Sequence, residues 1–479
     1  MERVKADYLI VGSGATGMAF IDVLLRSSEA TAVVVDRHHA PGGHWNDAYP
    51  FVRLHQPSSY YGVCSRQLGT DALDSNPLNA GMTERASAVE LLAYYERLMQ
   101  EYVATGRITF LPRAEHIGDS VVRYLTSNKR LEVEFEKKLV DTTYLATAVP
   151  STHPPKYAVA DGVRLVTPNE LARIDKSYDN FAVVGAGKTG VDVCLWLLEN
   201  GVSADQIRWI MPRDAWWQNR ASVQRGDQFF EATFGALAAQ MESVATAGSM
   251  HDLFMELEDK RQLLRLDCDV LPEMYHGAIM STDELALLRT IEDVVRRGRV
   301  ERIDDDAIVM TNGIVSAKFD TLYIDCSAAG VSRRPLVPVF NERTITLQMV
   351  KPIQPVFSAA LIAQVETLAL SEAEKNDLCR PAVVPDTPSD WLRVLLAGIS
   401  AQATWTANGD VKAWIASTRL DTFGSMARAV RADDIDRLNL LKRLSGNAMP
   451  AIGNAKRLLR QHADMIDGST AFAARAVAL

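Results

Sequence analysis

The chain has 479 residues, of which 47% are hydrophobic and 23% charged, and a formal net charge of −9. That length suggests two or three domains with sizeable cores, in a composition ordinary for a globular protein. The mild acidity is spread along the chain and argues against a nucleic-acid backbone or an anionic membrane as the main partner, and no apolar run is long enough for a membrane span. A cytoplasmic protein is expected. The five cysteines are scattered without a CxxC pair, which argues against a disulfide scaffold or a dithiol redox centre. The histidines are equally dispersed, so no metal is expected.

Tyr8 to Val11 read as a buried strand, followed by three glycines with separate tasks. Gly12 makes the tight turn out of the strand. Gly14 has no side chain, so a diphosphate can reach the backbone N–H groups at a helix start, and Gly17 lets that helix lie close on the sheet. Met18, Ile21, Leu24 and Leu25 recur at helical spacing, and Ala32 to Val35 form a second apolar strand. It ends in Asp36, 24 residues after the first glycine, placed to accept hydrogen bonds from a ribose. A glycine turn alone would mean little. Strand, turn, helix and acid together predict a site for an adenine dinucleotide.

Beyond Asp36 lie the loop Pro41-Gly42-Gly43 and a segment, Tyr49 to Gly62, rich in polar and aromatic residues. Residues 85–105 predict a surface helix with Val89, Leu92, Leu98, Met99 and Tyr102 at helical spacing. Val121 to Tyr124, Leu131 to Phe135 and Asp141 to Val149 read as short strands ahead of a proline-rich PSTHPP. A second dinucleotide turn then follows the strand Phe181 to Val184, at Gly185, Gly187 and Gly190. Its Lys188 and Thr189 invite a P-loop reading, but the glycine that motif requires at position 182 is alanine.

The next strand, Ile207 to Met211, ends in Pro212-Arg213-Asp214 rather than in an immediate acid. A basic group there suits the ribose 2′-phosphate of NADPH, which a carboxylate would repel. Arg213 is the candidate, with Trp216, Trp217 and Arg220 expected to stack around the adenine. From Phe229 to about Arg297 the chain reads as helical, its aromatic and methionine stripe as core. Val300 to Asp325 returns to short strands, with a hairpin signal at Thr311-Asn312-Gly313. Phe357 to Leu370 and Val411 to Leu441 read as amphipathic helix.

An acid, a double glycine and a tryptophan at the spacing of Asp36, Gly43 and Trp45, followed by the extended segment with Tyr49-Pro50, resemble the flavin-containing monooxygenases. Ala146-Thr147-Ala148, where relatives carry Ala-Thr-Gly, resembles the family's exit from its FAD domain. Leu322 to Gly330, with Cys326-Ser327-Ala328-Ala329-Gly330, resembles its re-entry. The expected fold is α/β, with two Rossmann-like dinucleotide-binding domains, the second inserted in the first. An FAD-binding part over 1–150 precedes an NAD(P)H-binding domain over 151–325, whose helical insertion spans about 222–297. The FAD-binding domain resumes over 326–479 with C-terminal helices.

The resemblance implies FAD at Gly12, Ser13, Gly14, Ala15, Thr16, Gly17, Asp36, Arg37, Gly43, His44 and Trp45. It implies NADPH at Gly185, Gly187, Lys188, Thr189, Gly190 and Arg213. The implied activity is a monooxygenase that uses a flavin peroxide to insert one oxygen atom of O2 into a small-molecule substrate. The Baeyer–Villiger fingerprint FxGxxxHxxxW has no counterpart before Gly185, which favours N- or S-oxygenation. Where relatives that oxygenate nitrogen or sulfur carry an asparagine near the flavin, register on Tyr49-Pro50 places His55. It is a candidate to donate a hydrogen bond or exchange a proton, against the alternative of a histidine satisfied by neighbouring backbone. Gln56 is the second catalytic candidate, and Ser58 and Tyr60 are expected on the same surface. The competing functions are an NAD(P)H-dependent flavin dehydrogenase or oxidase, and a non-enzymatic nucleotide-binding protein. The expected partners are a small-molecule substrate and O2, with a homodimer as a further expectation and no nucleic acid.

Overall fold

The computed structural model describes residues 2–328 and 330–465. Strand β1 (Glu2–Val11), helix α1 (Ala15–Ser27) and strand β2 (Ala32–Asp36) form the first unit. Every residue of β2 is buried, as a parallel strand covered on both faces requires. Helix α2 (Ala88–Ala104) opens on a capping box between Ser87 and Glu90. Strands β3 (Ile108–Pro112), β4 (Ala114–His116), β5 (Val121–Tyr124) and β6 (Arg130–Asp141) follow. β1 is central, parallel to β2 on one side and to β6 on the other, and β3 extends the sheet beyond β2. β4 and β5 add an antiparallel flap to β6.

The chain then leaves this sheet and builds a second. Strands β7 (Ala158–Val159) and β8 (Leu165–Val166) and helix α3 (Pro168–Leu171) lead into β9 (Asn180–Val184), α4 (Lys188–Glu199) and β10 (Ile207–Ile210). After β11 (Ala215–Asn219) come helices α5 (Phe230–Thr246) and α6 (Met250–Asp259), strands β12 (Leu263–Leu264) and β13 (Met274–Met280), and helix α7 (Thr282–Leu288). Strands β14 (Val294–Val295), β15 (Val300–Ile303), β16 (Ala307–Met310), β17 (Gly313–Ser316) and β18 (Thr321–Asp325) complete the segment. The second parallel sheet runs β14-β10-β9-β18-β8. β9 occupies the place that β1 has in the first sheet: its successor lies on one side and a late strand on the other. In such sheets the crevice beyond the C-terminal end of the central strand receives the ligand.

Strands β19 (Phe340–Asn341) and β20 (Thr344–Thr346) bring the chain back, β20 lying parallel to β6. Helix α8 (Pro355–Glu366), buried along nearly its whole length, packs on α1. Helices α9 (Glu372–Leu378), α10 (Pro388–Ala407), α11 (Gly409–Ser417), α12 (Thr422–Arg428), α13 (Ile435–Gly446) and α14 (Ala448–Met465) follow, with α13 and α14 seated on α5. The fold is thus α/β, with two Rossmann-like units, the second carried inside the first. Among the described residues no helix is long and apolar enough to cross a membrane.

Three expectations are corrected. Phe357 to Leu370 is not an amphipathic helix, because α8 ends at Glu366 and is enclosed on nearly every side by the core. Asp141 to Val149 is not a strand, because β6 ends at Asp141 and the chain turns away. The Thr142 hydroxyl reaches back to the carbonyls of Val11 and Gly12 at 2.9 and 3.1 Å, and Ala146 takes a positive φ of 40°. The stretch 222–297 is α-helical only in α5, α6 and α7. β12 and β13 flank β11 in a small sheet, and β14 joins the second parallel sheet beside β10. The apolar residues of Met274–Met280 pack as a strand against the tryptophans of β11, not around a helix axis. Ala329, in the re-entry motif, lies outside the described residues, as do residues 466–479 of the expected C-terminal part.

Candidate active site

Both glycine turns are built by the same steric rule. Gly12 has φ of +102°, and a Cβ there would lie 2.4 Å from Thr142 Oγ1, the residue after β6. Gly185 has φ of +132°, and a Cβ would lie 2.5 Å from the carbonyl oxygen of Cys326, the residue after β18. In each sheet the turn presses on the chain leaving the neighbouring strand, so a side chain is excluded. The third glycines serve packing: a Cβ at Gly17 would meet the Gly12 carbonyl oxygen at 2.3 Å, and one at Gly190 the Gly185 carbonyl oxygen at 2.2 Å.

The middle glycines face open space instead. A Cβ at Gly187 would touch nothing within 4 Å, and one at Gly14 would meet only the backbone of Gly43, at 3.6 Å. Neither α1 nor α4 has a side-chain cap or an acid in its first turn. The free N–H groups at both helix starts therefore offer anion cradles, at α1 with Ala15 and Thr16 and at α4 with Lys188 and Thr189. These cradles fit the diphosphates of two dinucleotides. Both open onto one cavity of about 1360 Å³.

Asp36 lines that cavity but is already engaged by the chain itself. Its Oδ2 accepts from the N–H and hydroxyl of Ser13 at 2.6 and 2.7 Å, and its Oδ1 from the N–H of His38 at 2.8 Å, with the His38 Nδ1 at 2.9 Å. Burial opposes ionisation of Asp36, but the donors from His38 and Ser13 outweigh it and hold its pKa below the usual range. The other His38 nitrogen, Nε2, is 2.7 Å from Asp47. Hydrogen bonding to Asp36, reinforced by Asp47, raises the His38 pKa to about 9 despite partial burial. Arg37 is exposed beside Glu115. His44, its pKa pushed down to about 4 by burial, lies next to the buried Trp45, whose indole N–H donates to Tyr61 at 3.2 Å.

The extended segment crosses from the first unit to the second. Tyr49 donates to Asp192 of α4 at 2.6 Å, Phe51 stacks on Trp196 at 4.9 Å, and Lys188 pairs with Asp192. His55 and Gln56 follow, and both line the cavity. The backbone N–H of Ile279 donates to His55 Nδ1 at 3.1 Å. Burial, with Lys188, Arg220 and Arg85 nearby, pushes the His55 pKa down to about 3. The ring is therefore neutral, with Nδ1 as acceptor and the proton on Nε2. The buried Gln56 Oε1 has no hydrogen-bond partner. Ser58 and Tyr60 are not in the cavity wall. Ser58 is bonded to the backbone of Glu84 and Ala86, and Tyr60 to the carbonyl of Gln224.

Arg213 lines the cavity, but its guanidinium is paired with Asp386 at 2.9 Å. The same carboxylate meets Arg333 at 2.8 Å and His276 at 3.1 Å. Trp216 and Trp217 touch the cavity yet are core residues, 1% and 3% exposed, with Trp216 against Phe254 at 5.3 Å. Arg220 is fully buried and bonded to Glu284 at 2.6 Å. These three side chains are committed to packing and ion pairing, so the expected stacking around an adenine is replaced by core structure. Asp192, Asp386, Arg333, His276 and Glu284 carried no motif. Arg213 and Asp386 stand 173 positions apart and Arg85 and Glu284 stand 199 apart, so only folding brings them together.

No family model matches the chain. The protein named Uncharacterized protein Rv2000 of Mycobacterium tuberculosis (strain ATCC 25618 / H37Rv) is 45% identical over 426 residues, which cover 89% of this chain and 79% of the relative. Uncharacterized protein Mb2023 of Mycobacterium bovis matches to the same extent. Among solved structures, the polycyclic ketone monooxygenase of Thermothelomyces thermophila shares 11% identity at a TM-score of 0.50, over 94% of this chain and 89% of that one. At that identity the likeness establishes the fold of a flavoprotein monooxygenase and nothing of the reaction. The OTEMO complex with FAD and NADP is similar at 14% identity and a TM-score of 0.45, over 76% of this chain and 85% of that one.

Proposed function

We propose, for a chain that belongs to the protein family of mycobacterial Rv2000, an FAD-dependent, NADPH-consuming monooxygenase that places one oxygen atom of O2 on the nitrogen or sulfur of a small molecule. The observation that carries this reading is that both glycine turns open onto a single cavity of about 1360 Å³. That is more room than one drug-sized ligand needs, and it joins two diphosphate cradles across one space. Gly12 to Gly17 and the Asp36 to Trp45 segment would hold FAD, which when bound would supply hydride acceptance from NADPH and the activation of O2.

The chain's own residues bind, orient and screen. Gly14 and Gly187 leave the helix starts of α1 and α4 open to phosphate, and the helix dipoles favour the negative charge there. Arg213, in the cavity wall and paired with Asp386, would hold the 2′-phosphate of NADPH. Asp386 keeps Arg333 at 2.8 Å. The Tyr49–Asp192 and Phe51–Trp196 contacts hold the extended segment against α4, and His55 and Gln56, further along it, line the cavity. His55 acts as a hydrogen-bond donor through Nε2–H. With its Nδ1 occupied by the Ile279 N–H, it is not the group that takes a proton from substrate. Trp45, Trp216 and Trp217 give the cavity a buried aromatic lining.

The test uses the purified full chain with methyl phenyl sulfide as an S-oxygenation probe and cyclohexanone as a Baeyer–Villiger probe. A yellow protein that bleaches with NADPH without air, and that transfers 18O from 18O2 to the sulfide in proportion to NADPH used, supports the proposal. Recovery of all the NADPH electrons as hydrogen peroxide, with no 18O in either probe, identifies an oxidase and overturns it. Ester formation from cyclohexanone alone overturns the N- or S-oxygenation preference.

A further inference from the structure

We propose that the buried network Arg85–Glu284–Arg220 is the positioning device of the site, holding His55 as a fixed Nε2–H donor to the cavity; this rests on the reading of His55 given above. Glu284 is almost fully buried and is gripped on both oxygens: Arg85 Nη1 lies 2.9 Å from Oε1 and Arg220 Nη2 2.6 Å from Oε2. The backbone N–H of Ser281 also donates to Oε2, at 2.9 Å. Burial opposes the ionisation of Glu284, but the two guanidinia outweigh it and keep it charged.

Each arginine is tied to the segment that carries His55. Arg220 Nε donates to the His55 carbonyl at 2.9 Å. Arg85 belongs to the strand-like stretch paired with residues 53 and 54: Arg53 Nη1 donates to the Arg85 carbonyl at 3.0 Å, and the Leu54 N–H to the Ala86 carbonyl at 2.9 Å. The ring is held from the same side. Ile279, whose N–H donates to His55 Nδ1, sits in β13, in register with Gln218 of β11, and Arg220 follows directly after β11. The ring of His55 is thus fixed by β13 and its carbonyl by the residue that follows β11, and Glu284 ties that residue to Arg85.

A buried cluster of two cations and one anion is a poor way to gain stability, since well-packed apolar residues usually do as well. Its yield here is geometry: a guanidinium has a planar set of donors, and the three Arg220 nitrogens reach three different acceptors at once, the His55 carbonyl, Asn79 Oδ1 and Glu284 Oε2. The charged and titratable groups facing His55 are Lys188 of α4, Arg220, Arg85 and Glu284 of α7. Lys188 is itself paired with Asp192 of α4; burial together with the three cations disfavours a second proton on the ring, while the Ile279 N–H decides which nitrogen carries the first.

The experiment is nitrogen NMR of the full-length holoprotein labelled with 15N-histidine, the His55 signals being identified by their loss in His55→Gln. The unaltered protein is expected to show one neutral tautomer, protonated at Nε2, without titration from about pH 5.5 to 8.5, the range that spans an ordinary histidine. Arg220→Lys keeps the charge but loses the planar fork that reaches the His55 carbonyl and Glu284 together, and Glu284→Gln keeps the shape but loses the charge. In both, the second tautomer or a titrating ring should emerge, with bound FAD retained and kcat lowered by about tenfold to a hundredfold, as misplacement of a reacting group implies. Two results overturn the proposal: a His55 ring that titrates or mixes tautomers in the unaltered protein, or folded variants that keep the tautomer of the unaltered chain. If both variants fail to fold, the unaltered protein's own spectrum decides. The tautomer is read without turnover, so a yellow protein that returns all its NADPH electrons as hydrogen peroxide refutes the proposed function and leaves this result standing.

Discussion

Replacing Gly187 by alanine separates what the second glycine turn does for the fold from what it does for a ligand. Gly187 is the N-cap of α4 with φ of −85°, which alanine adopts freely, and the added Cβ would touch nothing within 4 Å. The protein therefore loses at most about 1 kcal/mol, the difference between glycine and alanine as an N-cap. For the dinucleotide the methyl group stands where the diphosphate must approach the N–H groups of Lys188 and Thr189. Losing one charge-assisted hydrogen bond there costs about 1.5–3 kcal/mol, which is about 10- to 150-fold in affinity. The assay compares KM for NADPH, the FAD content of the purified protein and the melting temperature. The expected result is a KM raised by that factor, unchanged FAD and a nearly unchanged melting temperature. An unchanged KM in the folded variant would refute the placing of the second diphosphate at α4, and loss of FAD instead would show that the two cradles are assigned the wrong way round.

Gly190→Ala should act on the fold, because its Cβ would lie 2.2 Å from the Gly185 carbonyl oxygen, a backbone atom that cannot turn aside. A loss of about 1–3 kcal/mol by chemical denaturation is expected, as for other overpacked sites; unaltered stability would contradict the close packing of helix on strand. Arg213→Ala should raise KM for NADPH about tenfold or more while leaving NADH nearly unaffected, the loss of a charge-assisted contact to phosphate; equal effects on both would remove Arg213 from the 2′-phosphate site. His38 is predicted to make stability depend on alkaline pH. Its folded pKa is raised to about 9 by Asp36 and Asp47, so its contribution is full below the unfolded value of about 6.5 and is lost as pH rises through about 9. Denaturation midpoints at the two ends of this window should differ less in His38→Gln, and an identical pH dependence in both proteins would count against the cationic bridge.

The two dinucleotide units were legible along the chain because their signals are local. A strand, a glycine with positive φ, an open helix start and a packing glycine lie within about ten residues, each demanded by contacts its near neighbours supply. Gly12, Gly14 and Gly17 repeat as Gly185, Gly187 and Gly190, and the α/β architecture follows from that repetition. The segment from Met274 to Met280 was misread because its burial depends on β11, more than 50 positions earlier. An apolar run looks the same along the chain whether it packs as helix or strand. Tertiary structure alone decided the environment of the candidate groups. Asp36 has its lone pairs filled by Ser13 and His38, Trp216 and Trp217 are drawn into the core, and Arg213 is met by Asp386. His55 was a candidate by position only. Its tautomer, and so its chemistry, is set by a backbone N–H from β13 and a buried arginine after β11. Contacts between residues more than 150 positions apart leave no spacing for a sequence to display.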